Sequence, residues 1–296
     1  MSDMQLSDAA GTPRGVWSIW PIRMIVFFVV LTATYLGLPV LATIYKPQLN
    51  AMFPKEVILL AITAGSVVLS ILAYRLLVRW TEKRSADELS AGGAVPQFLL
   101  GSLIGVGLFC IVYAIYLALG IATFKGLGST AGLGVALAVG ISSGVCEELI
   151  MRGGVFRIVE NGLGTFIALV VSALIFGFLH AGNPGATLLS STAIALEAGI
   201  LLAAAYAVTR SLWLAIGLHF AWNFAEGGIF GAAVSGSQMK GLLNIPLSGP
   251  PLMTGGSFGP EASLPAIAVC TAAGLIMLII AVRKGAWKPM RARIRA

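Results

Sequence analysis

Apolar residues in this chain run in long unbroken blocks, without the alternating or one-sided stripes of a water-soluble fold. Eight blocks are long enough to be membrane helices: Met24–Tyr45, Val57–Trp80, Phe98–Phe124, Ala131–Ile150, Thr165–Ala181, Thr187–Val208, Leu212–Val234 and Leu264–Val282. A helix crosses the hydrocarbon core with about 20 mostly apolar residues. The pattern therefore predicts an all-α fold, a polytopic transmembrane helical bundle of about eight spans. The expected organisation is a polar tail over 1–17, three helices over 18–130, a four-helix core over 131–232, a Gly- and Pro-rich outer loop over 233–263, an eighth helix over 264–283 and a basic tail over 284–296. Thr81–Ala94 reads as a charged inner loop and Gly182–Ala186 as a tight outer turn. No internal repeat supports an inverted-repeat transporter.

Composition agrees. Of 296 residues, 58% are hydrophobic and only 10% charged, and mean hydropathy is +0.94. Soluble domains carry about 25% charged residues, so an ordinary cytosolic enzyme and a disordered chain are excluded. The net charge of +7 lies in loops and tails beside apolar blocks. It reads as a topology signal and not as a nucleic-acid surface. With the amino terminus inside, fifteen Lys and Arg face the cytoplasm and four (Lys46, Lys55, Lys125, Lys240) face outward. Both termini are expected inside, in a prokaryotic inner membrane, with the Arg283–Arg295 tail against anionic lipid. Cys110, Cys146 and Cys270 all lie in apolar runs and read as buried structural thiols.

An ionisable group at the bilayer centre costs about 2.5–3.5 kcal/mol, so such groups are where function is sought. They cluster in the core: Glu147, Glu148 and Arg152 in the fourth block, His180 in the fifth, Glu197 in the sixth, and His219, Asn223 and Glu226 in the seventh. Glu148 and Arg152 are four apart and can pair on one helix face. Phe176 and His180 share that spacing, as do His219 and Asn223. Turns at Asn161–Gly164 and Thr209-Arg210 would bring Glu147 level with His180, and Glu197 level with Asn223. Those heights agree with His219 only if the hairpin of blocks four and five projects on the inner side. Glu226, nearer its helix end, is expected as a solvated rim group. Phe176, Phe220 and Trp222 are expected to pack.

A carboxylate beside an apolar cavity is a competent general base. Glu147 is expected to activate a water, with Glu148 oriented by Arg152. His180 and His219 suit oxyanion donation, water binding or metal ligation, and Asn223 suits oxyanion stabilisation. Two His and a Glu would also make a three-ligand zinc site, but no HExxH helix is present. Zinc and a metal-free glutamate mechanism both stay open.

These residues carry a family resemblance. Glu147-Glu148-Leu-Ile-Met-Arg152, Phe176-Gly-Phe-Leu-His180 and His219-Phe-Ala-Trp-Asn223 resemble, in order, the motifs of the CPBP intramembrane proteases. That family includes CAAX prenyl endopeptidases of the Rce1 type and bacteriocin self-immunity relatives. The resemblance covers 131–232 and implies a helical bundle with Glu147, Glu148, Arg152, His180, His219 and Asn223 as catalytic groups. It also implies cleavage near the C-terminus of a membrane-associated protein or peptide. A catalytically silent scaffold or immunity factor, and a proton-coupled transporter, are the alternatives. Two strings mislead. Gly140-Ile-Ser-Ser-Gly144 matches a serine-hydrolase elbow but lies in an apolar helix. Gly255-Gly-Ser-Phe-Gly-Pro-Glu261 resembles a chloride-channel loop without its companion motifs, and is expected to cap the bundle or to re-enter it.

Overall fold

The computed structural model describes residues 15–290. The tail residues 1–14 and 291–296, with Arg14, Arg291, Arg293 and Arg295 of the charge count, lie outside the described residues. Long helices dominate: α1 Trp20–Ile44, α2 Lys55–Glu82, α3 Ala94–Ala118, α4 Thr130–Leu163, α5 Thr165–Gly182 and α6 Leu188–Thr209. Then come α7, Leu212–Phe224 with a wider turn Ala225–Ile229, and α8, Leu264–Arg283. All except α7 are long and apolar enough to cross a membrane, seven among the described residues. The helix α7 is made more polar by His219, Asn223 and Glu226. The chain is an all-α integral membrane protein.

Local chemistry sets the helix ends. Gly164, at φ 92°, reverses the chain between α4 and α5. An added Cβ there would lie 2.6 Å from the Pro289 carbonyl oxygen. Ser211 caps α7 and Ser263 caps α8. Thr187 and Ser190 form a reciprocal capping box at the start of α6.

The helices α4, α6 and α7 form the interior, where small residues let backbones approach. Ala203, Ala204 and Ala205 of α6 are fully enclosed. Glycines bring α3 onto α7: an added Cβ would sit 2.5 Å from Leu218 O at Gly105, and one at Gly217 would sit 2.1 Å from Phe98 O. Outward faces carry large exposed apolar side chains, such as Val29, Leu103 and Ile276, as a lipid-facing surface requires. Cys110 is among the exposed residues, while Cys146 and Cys270 are buried. The expectation that all three are buried therefore fails for Cys110, which sits on the outward face of α3.

At 34 residues, α4 is about 51 Å long at the helical rise, well beyond a 30 Å hydrocarbon core. Its last turns are pinned by charge. Arg157 donates to both oxygens of Glu82 at 2.7 and 2.9 Å and lies 3.3 Å from Glu88. Arg84 forks onto Glu88 at 2.9 and 3.1 Å. Burial penalises the Glu88 carboxylate, but the Arg84 and Arg157 guanidiniums outweigh it and hold its pKa below the usual value. Glu160 pairs with Arg210 and, at 3.2 Å, with Lys288.

The segment 233–263 is folded against the bundle. Isolated antiparallel bridges pair Leu127 with Leu243 and Ala122 with Leu247. The Tyr116 hydroxyl donates to Ser263 Oγ at 2.5 Å. Phe258 through Ser263 are buried, so the segment re-enters the protein at its end.

Candidate active site

Several site candidates fall on wide, π-type helical turns: Ser143–Glu147, Leu149–Phe156, Ala195–Gly199 and Ala225–Ile229. Such turns shift the phase of a helix and are frequent at functional sites. They set the direction of Glu147, Arg152, Glu197 and Glu226 in ways that simple helical spacing does not give.

A cavity of about 270 Å³ lies between α4, α5, α6, α7 and the re-entrant segment. Glu147, His180, His219 and Asn223 line it together, with Ser143, Glu197, Trp222 and Glu261. Glu148 and Arg152 do not line it. Both are fully enclosed and stand behind its wall.

Behind that wall runs a chain of charge-assisted hydrogen bonds. Arg152 Nη1 donates to Glu148 Oε1 at 3.0 Å, and His219 Nδ1 lies 2.9 Å from the same oxygen. Arg152 also donates through Nη2 to the carbonyls of Ala198 and Gly199 at 3.0 and 3.2 Å, and its guanidinium stacks 4.7 Å above the Phe176 ring. A carboxylate facing an Arg is an acceptor, so His219 donates from Nδ1 and keeps Nε2 for the cavity. His180 is fixed similarly, with Nδ1 2.8 Å from the Phe176 carbonyl. Asn223 Nδ2 donates to Ser143 Oγ at 2.8 Å, which leaves its second amide hydrogen. Glu147 is half-buried, and its bond is from the Tyr35 hydroxyl at 3.4 Å.

A second, mainly apolar cavity of about 370 Å³ meets the first at Glu147 and His180. Phe28, Thr32 and Leu36 of α1 and Leu179 of α5 form its sides.

Some residues differ from expectation. Glu226 is fully buried, because the wide turn and the returning segment cover it; it is not a solvated rim group. Tyr35 enters the site without any sequence motif, and Glu261 enters it from the end of the Gly255–Glu261 string, expected to cap or re-enter the bundle but not to supply a site residue. Glu261 lies at a loop end, near His180 and Ser235, and burial raises its carboxyl pKa above the usual value while His180 and Ser235 pull it back. Phe176 and Trp222 both pack and line the cavity, whereas Phe220 stacks on Phe224 at 5.9 Å. Among the described residues, no three His, Cys, Asp or Glu side chains are placed to hold a metal ion together. Both Nε2 atoms are free, but no carboxylate or thiolate among the described residues stands with them to complete a three-ligand set, so the donors do not fit a zinc site.

Residues 129–225 match the family model described as Type II CAAX prenyl endopeptidase Rce1-like. The matched segment contains all three motifs, so the family that they resemble is the one found. No curated protein and no solved structure matches the chain.

Proposed function

We propose that the protein is an intramembrane endopeptidase that hydrolyses a peptide bond of a membrane-associated protein or peptide. The observation that carries this reading is the convergence of Glu147, His180, His219 and Asn223 on one cavity, with the Arg152–Glu148–His219 chain fixing one imidazole from behind.

In this reading Glu147 takes a proton from a water, whose oxygen attacks the scissile carbonyl carbon. Nε2 of one imidazole, His219 or His180, accepts the remaining water hydrogen and aims the oxygen. The carbonyl electron pair moves onto oxygen, where the Asn223 amide donates to the oxyanion. Collapse of the intermediate breaks the C–N bond, and Glu147 returns its proton to the leaving amine. The products are a carboxylic acid and an amine, and the acid's proton then passes to the amine to give carboxylate and ammonium. Glu148 and Arg152 touch no reacting atom and act as positioning residues through His219.

The apolar cavity beside α1 suits the approach of a lipid-embedded segment. The basic residues Arg75, Arg79, Lys83, Arg84, Arg210 and Arg283 sit at one end of the bundle's helices. His180 and Glu261 sit at the far ends of α5 and α8. If the basic end is cytoplasmic, both termini face the cytoplasm and the catalytic cavity belongs to the outer half of the membrane. Quantitative profiling of peptide C-termini in membranes tests the activity: new termini should appear with the wild type and vanish with Glu147→Gln. An identical set of termini from both would overturn it.

A further inference from the structure

Buried carboxylates in this protein follow a rule with one localised exception. Glu82, Glu88, Glu148 and Glu160 each have an Arg or Lys within 3.2 Å. Glu197, Glu226 and Glu261 are equally buried, at 2%, 0% and 3% exposure, yet have no ion-pair partner among the described residues. Oxygens of all three lack hydrogen-bond partners: one on Glu197, one on Glu261 and both on Glu226. They come from three different elements, α6, the turn after α7, and the re-entrant segment. Glu197 and Glu261 line the catalytic cavity. Glu226 stands behind, where an added Cβ at Gly259 would lie 3.5 Å from its Oε1. No Lys or Arg lines that cavity.

An uncompensated buried carboxylate is costly, and a matching cation relieves the cost. The wall is open to the cavity, so that cation can be supplied by what binds there. We propose that Glu197 and Glu261, backed by Glu226, form a cation subsite that receives a guanidinium or ammonium group of the substrate next to the scissile bond. The inference rests on the protease reading for its position in a reaction, though not for the binding itself. No three of these side chains are placed to chelate a metal ion, whereas a guanidinium presents five donors in a broad fork. The subsite also faces Glu147 and His180, so a bound cation would place the adjoining backbone beside the general base.

The test uses the full-length protein in lipid nanodiscs. Binding is read by thermal shift and by the fluorescence of Trp222, which lines the cavity. Arginine amide, with its α-amino group acetylated, should stabilise the wild type and shift the fluorescence, while the likewise acetylated citrulline amide, its uncharged isostere, should do neither. Glu261→Gln and Glu197→Gln should each weaken arginine amide binding at least about tenfold. Equal effects of the two amides on the wild type would overturn the proposal, with no variant needed. So would magnesium or zinc ions that alone reproduce the shift and displace arginine amide. In a peptide series scanned with Arg against citrulline, kcat/KM should favour Arg at one position by about tenfold or more, and Glu261→Gln should collapse that ratio. Arginine amide binding without cleavage of any peptide would leave the subsite standing and overturn the protease reading. Cleavage indifferent to Arg at every position would do the reverse.

Discussion

Glu148 Oε1 receives two donors at once, Arg152 Nη1 at 3.0 Å and His219 Nδ1 at 2.9 Å. One buried oxygen thus links a fixed cation to an imidazole that lines the cavity. The link determines which ring nitrogen of His219 is available, so in the proposed mechanism Glu148 acts without touching a reacting atom. Glu148→Gln removes the acceptor charge, frees the tautomer and leaves Arg152 without an anionic partner. Turnover should fall about 100-fold or more. The protein should also lose about 3 kcal/mol of stability, the cost of orphaning a buried charge. Kinetics and thermal unfolding of the same preparation check both. A variant that loses activity with unchanged melting would contradict the structural half of this account.

Glu147 should behave differently. It is half-buried and held by the Tyr35 hydroxyl at 3.4 Å, with no ion pair to break among the described residues. Glu147→Gln is expected to lower turnover by at least about 1,000-fold while its melting temperature stays within a degree or two of the wild type. Tyr35→Phe removes a single weak orienting bond and should cost less than about tenfold. The contrast between Glu147 and Glu148, activity alone against activity with stability, separates a base from a positioning residue.

How far the sequence alone carries is visible in particular residues. Unbroken apolar blocks gave the helices, since lipid demands them, and helical spacing paired Glu148 with Arg152. Three features stayed hidden. Periodicity assumes a uniform turn, so the wide turns at Ala195–Gly199 and Ala225–Ile229 were invisible, and Glu226 was expected at a rim. The segment 233–263 has no repeating pattern, so although its Gly255–Glu261 stretch was expected to cap the bundle or re-enter it, nothing placed the Glu261 side chain in the cavity. The polar stretch from Arg152 to Gly164 gave reason to expect a projecting hairpin, which the length of α4 matches, but not which partners neutralise its charges: Glu82, Arg210 and Lys288, distant in sequence.

The approach of α3 to α7 should be essential to both packing and catalysis. Gly105 abuts Leu218 O, and an added Cβ would also lie 3.0 Å from Trp222 N. Backbone cannot rotate aside as a side chain can. Gly105→Leu must push away the helix that carries His219 and Asn223. A loss of at least about 1–3 kcal/mol is expected, with turnover falling in parallel. Gly107, two residues on, has nothing within 4 Å of an added Cβ. Gly107→Leu should insert, fold and turn over as the wild type does. If both variants behaved alike in melting and activity assays, close contact at Gly105 would not be what holds α7 in place.

Acid should loosen the charged end of the bundle before any change at neutral pH is seen. Glu88 is held below the usual carboxylate pKa, the Arg84 and Arg157 guanidiniums outweighing the burial that opposes them. It also accepts from the Tyr74 hydroxyl. A group whose pKa is depressed on folding binds its proton more readily when unfolded. Its stabilisation is therefore complete above the ordinary value of about 4.5 and is lost as pH falls through the lower folded value. Wild-type melting should then be flat from pH 8 to pH 5 in this contribution and should decline below about pH 4.5. Glu88→Gln should melt lower throughout the neutral range, by about 3 kcal/mol, because Arg84 and Arg157 lose one of their two shared carboxylates. The gap between variant and wild type should narrow as pH drops, since protonation gives the wild type the same neutral side chain. Thermal unfolding of both proteins in nanodiscs from pH 3.5 to pH 8 measures this gap. A gap that stayed constant, or widened in acid, would show that Glu88 is not the ionised partner the geometry makes it.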